Sequence, residues 1–212
     1  MFYLLKPGDR QVEGFRSKAA GTDFSYAAVG TTRTEKLPAG YVVDRNRIEL
    51  GSGREIFDKA VAALLRWDMF DLGWVKLLSQ KSPQEGLVVV IRSAHMGFWS
   101  LNACRVVYVI DEREGTAGGG EEKTGSPFKA GSPFKEGTVT FGFGYGTLRD
   151  HAESGEERFL IQWDKSTDAV SYDILAFSKP ANIIVGLGYR VARSMQLRFA
   201  RDSKAAMQRA VH

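Results

Sequence analysis

One cysteine, Cys104, stands in 212 residues, so no internal disulfide can form and the chain reads as a protein of a reducing compartment, the cytoplasm. It sits in the strand-like run NACRVVYVI, where a cysteine serves as a packing residue. Long apolar runs are missing as well: LVVVI at 87–91 falls far short of the roughly 20 residues that a membrane-crossing helix needs, which excludes integral membrane association. The opening MFYLLKPGDR places Lys6 after its short apolar run and Pro7 and Gly8 directly behind it, so it lacks the basic leader and small-residue cleavage site of a signal peptide and reads as mature sequence. Histidine is scarce and scattered at His95, His151 and His212, and no His, Cys or carboxylate pair has ligand spacing, so neither a metal nor a cofactor is expected.

A strong excess of one charge sign is absent too, with 29 basic residues against 25 acidic ones. The surplus lies in segment 181–212, where Arg190, Arg193, Arg198, Arg201, Lys204 and Arg209 are opposed by Asp202 alone. Neither a reading motif nor interleaved exposed aromatics accompany them, so nucleic acid is not an expected partner. A solvated helix face fits this pattern, with at most weak contact to an acidic membrane surface. What the chain does have is ordinary globular composition, 43% hydrophobic and 25% charged, which matches a single domain over 1–212 large enough to enclose a cavity.

YVVDRNRIEL at 41–50 alternates as a half-buried strand does and stops at Gly51. Ser52 and Glu55 then form a capping box, and Ile56, Phe57, Ala60, Val61, Leu64 and Trp67 recur at helical spacing. DMFDLGW at 68–74 predicts a second, brief helical turn. Extended runs follow at 74–79, 86–95, 98–112, 137–149, 156–164 and 169–179. All but one of their connections are too short for a crossover helix, so neighbours pair antiparallel. The exception spans 113–136, where GSPFK occurs at 125–129 and again at 131–135; it reads as a mobile low-complexity loop insert. From Pro180 on, Ile184, Leu187, Val191, Met195 and Phe199 form an apolar helical stripe, which predicts a long C-terminal helix bent near Gly186 and Gly188.

This α+β order, a seven-stranded curved antiparallel sheet with two short helices after the first strand and a long terminal helix, is similar to the helix-grip arrangement of the START and Bet v 1-like superfamily. The likeness implies a cavity between sheet and helix.

The stretch TFGFGYGTLRDHAESGEERF, 140–159, holds the polar residues most suggestive of chemistry. It is no phosphate cradle, because a strand, not a helix, follows the glycines. In an extended chain Gly142, Gly144 and Gly146 share one face, and Phe141, Phe143 and Tyr145 the other; a strip without side chains marks bending or close approach. Thr147, His151, Glu153, Glu156, Glu157 and Arg158 gather at one rim. Glu157 shares a face with Phe159, Ile161 and Trp163, so an inward aromatic face brings an inward glutamate that needs a partner. Arg158, on the opposite face, cannot serve; Arg105, Tyr172 and Asp173 are the candidates. The plain alternative is a turn held by a histidine hydrogen bond beside surface Glu/Arg pairs.

FGFGYGTLRDHAESGEERF, with SYDILAFSKP, RIELGSGREIFDKAVAALLRW and LGYRVARSMQLRFARDSKAAM, resembles the DUF1990 family of unknown function (UPF0548-like) over about residues 24–209. The 113–136 insert departs from its pattern. The resemblance implies no catalytic residue or cofactor; the START-like arrangement implies a small apolar or amphipathic ligand, and some members of that superfamily are cyclases or isomerases. Two readings stay open. In one, the protein binds a hydrophobic ligand with Tyr145, Thr147, Phe159, Trp163, Tyr172, Met195 and Phe199. In the other, an acid/base enzyme (cyclase, isomerase or hydrolase) uses His151 and Glu157 to move protons, with Tyr145 or Arg158 stabilising developing charge. A third class, an interaction module using the basic terminal helix, predicts binding that weakens steeply with salt.

Overall fold

A computed structural model describes residues 1–79, 81–95, 97–113, 137–181 and 189–212; the duplicated GSPFK segment and the expected bend at Gly186 and Gly188 lie outside them. The elements run β1 (Phe2–Tyr3), α1 (Asp9–Ala20), α2 (Thr31–Thr34), β2 (Val42–Ser52), α3 (Gly53–Leu65), a 3-10 turn (Asp68–Phe70), β3 (Val75–Leu78), β4 (Val88–His95), β5 (Phe98–Asp111), β6 (Thr138–Thr147), β7 (Glu153–Asp164), β8 (Ala169–Pro180) and α4 (Tyr189–Val211). The strands form one antiparallel sheet in the order β2-β8-β7-β6-β5-β4-β3, with β1 paired to β5. The expected meander of six is therefore present, β2 closes its far edge against β8, and the fold is the helix-grip α+β arrangement. No helix among the described residues is long and apolar enough to cross a membrane.

The alternation of the strands gives the sheet two useful faces. Phe141, Phe143 and Tyr145 of β6, Phe159 and Ile161 of β7, and Tyr172 and Ile174 of β8 turn inward, where they pack with Phe57, Val61 and Leu64 of α3 and Met207 and Val211 of α4. The outer face is also covered: Val12, Phe15 and Ala19, at helical spacing on α1, pack on Val90, Leu101, Ala103 and Leu148. These residues carried a helical signal that the sequence reading did not take up.

A bulge decides what lies behind the glycine strip. Val106 pairs with Tyr145 and Tyr108 with Gly144, so Val107 is one residue too many. Cys104 and Val106 consequently point inward, whereas Tyr108 and Ile110 point outward. The glycines of β6 leave room for what arrives there. A Cβ on Gly144 would stand 2.5 Å from the Tyr108 ring, and one on Gly146 would stand 2.0 Å from the Tyr26 hydroxyl. The strip thus admits two tyrosines to the outer face in addition to any bending of the strand.

Candidate functional site

Where β6, β7 and β8 reach the rim, α4 stands away from the sheet. The 3-10 turn fills the space further down with Phe70, and above it lies a cavity of 460 Å³. Its walls are Tyr145 and Thr147 of β6, Glu153 and Glu157 of β7, Ile174 and Ala176 of β8, and Met195, Gln196, Phe199 and Ala200 of α4. Phe70 and Trp74 form its base and side, and exposed Phe2 and Leu197 mark its opening.

The polar groups inside are tied to one another. Tyr145 and Glu157 are direct partners across β6 and β7, and the Tyr145 hydroxyl donates to Glu157 Oε2 at 2.7 Å. This is the partner that an inward glutamate requires. The expected candidates are engaged elsewhere: Arg105 donates to the carbonyls of Ala20 and Thr22 on the outer face, Asp173 accepts from Arg158, and the Tyr172 hydroxyl meets Ser203 at 2.9 Å. Gln196 bridges Glu153 (2.6 Å) and Ser178 (2.8 Å), and Arg193 clamps Asp44 with both of its terminal nitrogens. His151, half-buried at the opening, accepts the Glu153 backbone N–H on Nδ1 at 3.0 Å, which leaves Nε2 as the protonated nitrogen.

Burial dominates the titration of this site. It raises Glu157 to about 7, with the nearby charges of Glu153 and Asp44 adding to it against the Tyr145 bond, and it lowers His151 to about 4. The two shifts oppose each other in stability. Folded Glu157 keeps its proton where the unfolded chain has lost it, so stability falls as pH rises from about 4.5 to 7. Folded His151 refuses a proton that the unfolded chain takes up, so stability falls as pH drops from about 6.5 to 4. Between about 5 and 6.5 the slopes nearly cancel. The Glu157→Gln variant is therefore expected to lose roughly 2–3 kcal/mol between pH 6.5 and 4.5, and His151→Asn to gain a similar amount over that interval. Urea titrations at both pH values decide this; parallel profiles for the two variants would refute the assignment.

Several residues expected to touch a ligand lie elsewhere. Tyr145, Thr147, Met195 and Phe199 line the cavity, as do His151 and Glu157. Phe159 stands one layer behind, packed on Phe70, Tyr145 and Phe199, and Tyr172 is fully buried beside it. Trp163 sits far down β7 against Phe57 of α3, its Nε1 donating to Asp168. All three face inward, but depth along the sheet separates packed core from open space. Arg158 faces outward and is 2% exposed: it donates to the Thr32 carbonyl at 2.9 Å and to Glu35 and Asp173 at 3.0 Å each, so it cannot stabilise charge in the cavity.

The sequence reading missed the outer-face network around Arg158. Glu156, also 2% exposed, accepts from the Tyr26 hydroxyl (2.6 Å), the Gly30 N–H (2.6 Å), the Thr32 N–H (3.0 Å) and the Thr32 hydroxyl, which in turn meets Tyr108 at 2.7 Å. What passed for surface Glu/Arg pairing is a buried clamp holding residues 26–35 on the sheet. Among the described residues there is no cluster of His, Cys and carboxylates that could hold a metal.

Comparison with known proteins places these residues in a family. The model described as "Domain of unknown function (DUF1990)" matches residues 25–206. A UPF0548 protein of Dictyostelium discoideum is 35% identical over all of this chain and 96% of its own length. A UPF0548 protein of Arabidopsis thaliana is 31% identical over 82% of this chain and 75% of its own. Among solved structures, human STARD10 aligns over 98% of this chain and 80% of its own at 12% identity and a TM-score of 0.44.

Proposed function

Since the chain belongs to the DUF1990 family, whose description assigns no activity, we propose that it holds a small hydrophobic or amphipathic molecule between the sheet and α4. The observation that carries this reading is the 460 Å³ cavity, walled mainly by apolar side chains and within the roughly 300–1,000 Å³ range of small-molecule sites. Binding is favoured over acid/base turnover because His151, lowered to about 4, takes up no proton near neutral pH, and Glu157 is left with the Tyr145 hydroxyl, itself pushed well above its ordinary range by burial. The reading treats residues 1–212 as one cytoplasmic domain. It leaves exposed Arg198, Arg201 and Arg209 of α4 for weak, salt-sensitive contact with an acidic surface.

A neutral apolar dye, N-phenylnaphthylamine, tests it. Its fluorescence is expected to rise on mixing with the protein. Ala200→Phe, which fills the cavity beside Phe70 and Phe199, is expected to weaken binding about ten-fold or more with Tm held or raised. Dye binding that is indifferent to this substitution would remove the cavity as the site.

A further inference from the structure

The cavity is apolar in its walls and one-sided in its charges. Asp44, Glu153 and Glu157 line it, and among the described residues no lysine or arginine does. Arg193 of α4 has both terminal nitrogens on Asp44. Glu153 and Glu157 are met by uncharged donors, the Gln196 amide and the Tyr145 hydroxyl. A buried carboxylate with only neutral donors is costly unless a cation arrives. Nothing in this lining would neutralise the head of a fatty acid or a phosphate ester. The rings of Phe70, Tyr145 and Phe199 supply the other half of an ammonium site, since aromatic faces attract cations where water is excluded; the Trp74 ring already carries Arg198 at 4.4 Å.

We propose that the cavity selects a protonated amine on an apolar, preferably aromatic, body, with the ammonium seated against Glu157 and with Glu153 next along the same strand face. This deepens the reading above and rests on it. Near neutral pH Glu157 is divided between its acid and its carboxylate. When an ammonium ligand enters, the carboxyl O–H breaks, its proton passes to the buffer, and a carboxylate–ammonium pair remains; no bond within the ligand changes. The other titratable groups near Glu157 are Glu153 on β7, Asp44 on β2 with its Arg193, Tyr145 on β6, His151 at the opening, and Cys104 and Tyr172 behind the wall. His151 and the buried thiol and phenols keep their protonation state near pH 7, because burial pushes the histidine far below that pH and the others far above it. Burial raises Glu153 as well, against the Gln196 bond, and Glu157 is the group that gives up the proton.

Phenethylamine, phenethyl alcohol and hydrocinnamate share one body and differ in the head, and isothermal titration of the whole protein at about pH 7 compares them. The amine is expected to bind about ten-fold or more tightly than the alcohol, and the carboxylate more weakly than either. The binding enthalpy of the amine, unlike that of the alcohol, should change between phosphate and Tris buffers as the released proton is taken up. In Glu157→Gln the advantage of the amine over the alcohol and its buffer dependence should disappear. If the alcohol binds as well as the amine, or the Gln variant retains the preference, the amine proposal is overturned and ligand binding in the cavity stands. If none of the three binds while the dye still does, the amine proposal falls alone; if the dye fails as well, the reading beneath it falls.

Discussion

Replacing Arg158 by methionine is expected to lower the unfolding free energy by about 3–5 kcal/mol, more than a change to any carboxylate lining the cavity. Methionine occupies similar space but leaves Asp173 and the Thr32 carbonyl without the guanidinium that joins them, on a face that residues 26–35 keep from water. Glu35 suffers less, because Arg45 also reaches it at 2.9 Å. Adding Asp173→Asn to the methionine variant removes the stranded charge, so the double variant should recover part of the loss. Urea unfolding of the three proteins gives the result; a cost for Arg158→Met below about 1 kcal/mol would mean that the pair behaves as an exposed one.

Gly155→Ala is expected to be comparably damaging, at about 3 kcal/mol or more. A Cβ there would stand 2.0 Å from the Phe177 carbonyl oxygen and 2.8 Å from the Ser178 Cα. Both are backbone atoms of the paired strand, so β7 and β8 must part where Gly155 faces Ser178. Gly146→Ala is the informative contrast. Its obstacle is the end of the Tyr26 side chain, which can swing away at the cost of its bond to Glu156, so a loss of about 1 kcal/mol is expected. Thermal unfolding should therefore rank Gly155→Ala well below Gly146→Ala in Tm, and equal values would show that the β7–β8 spacing gives way more easily than its backbone contacts imply.

The order of elements from β2 onward was legible because each strand alternates and the short connections between strands force antiparallel neighbours. The inward direction of Glu157 was legible for the same reason: Phe159, Ile161 and Trp163 share its parity. Its partner was not, since the Tyr145–Glu157 pair depends on the register between β6 and β7, and the candidates Arg105, Tyr172 and Asp173 are all engaged elsewhere. Parity also placed Arg158 on the outward face, but Arg158 and Glu156, two residues before it, were read as surface residues. The segment that buries them, residues 24–35, has neither helical nor alternating period, and its role follows from hydrogen bonds that no local pattern encodes. The same holds for Val107, whose bulge turns Tyr108 outward and gives the glycine strip an occupant.

The clamp on the outer face also sets an order in time. Tyr26, Gly30 and Thr32 leave the ribosome well before the carboxylate that holds them, which lies 130, 126 and 124 positions later, and β2 waits for β8, which ends at Pro180. During synthesis residues 26–35 and β2 therefore stay without these partners until β7 and β8 emerge, whereas α1 finds its packing surface earlier, on β4 and β5.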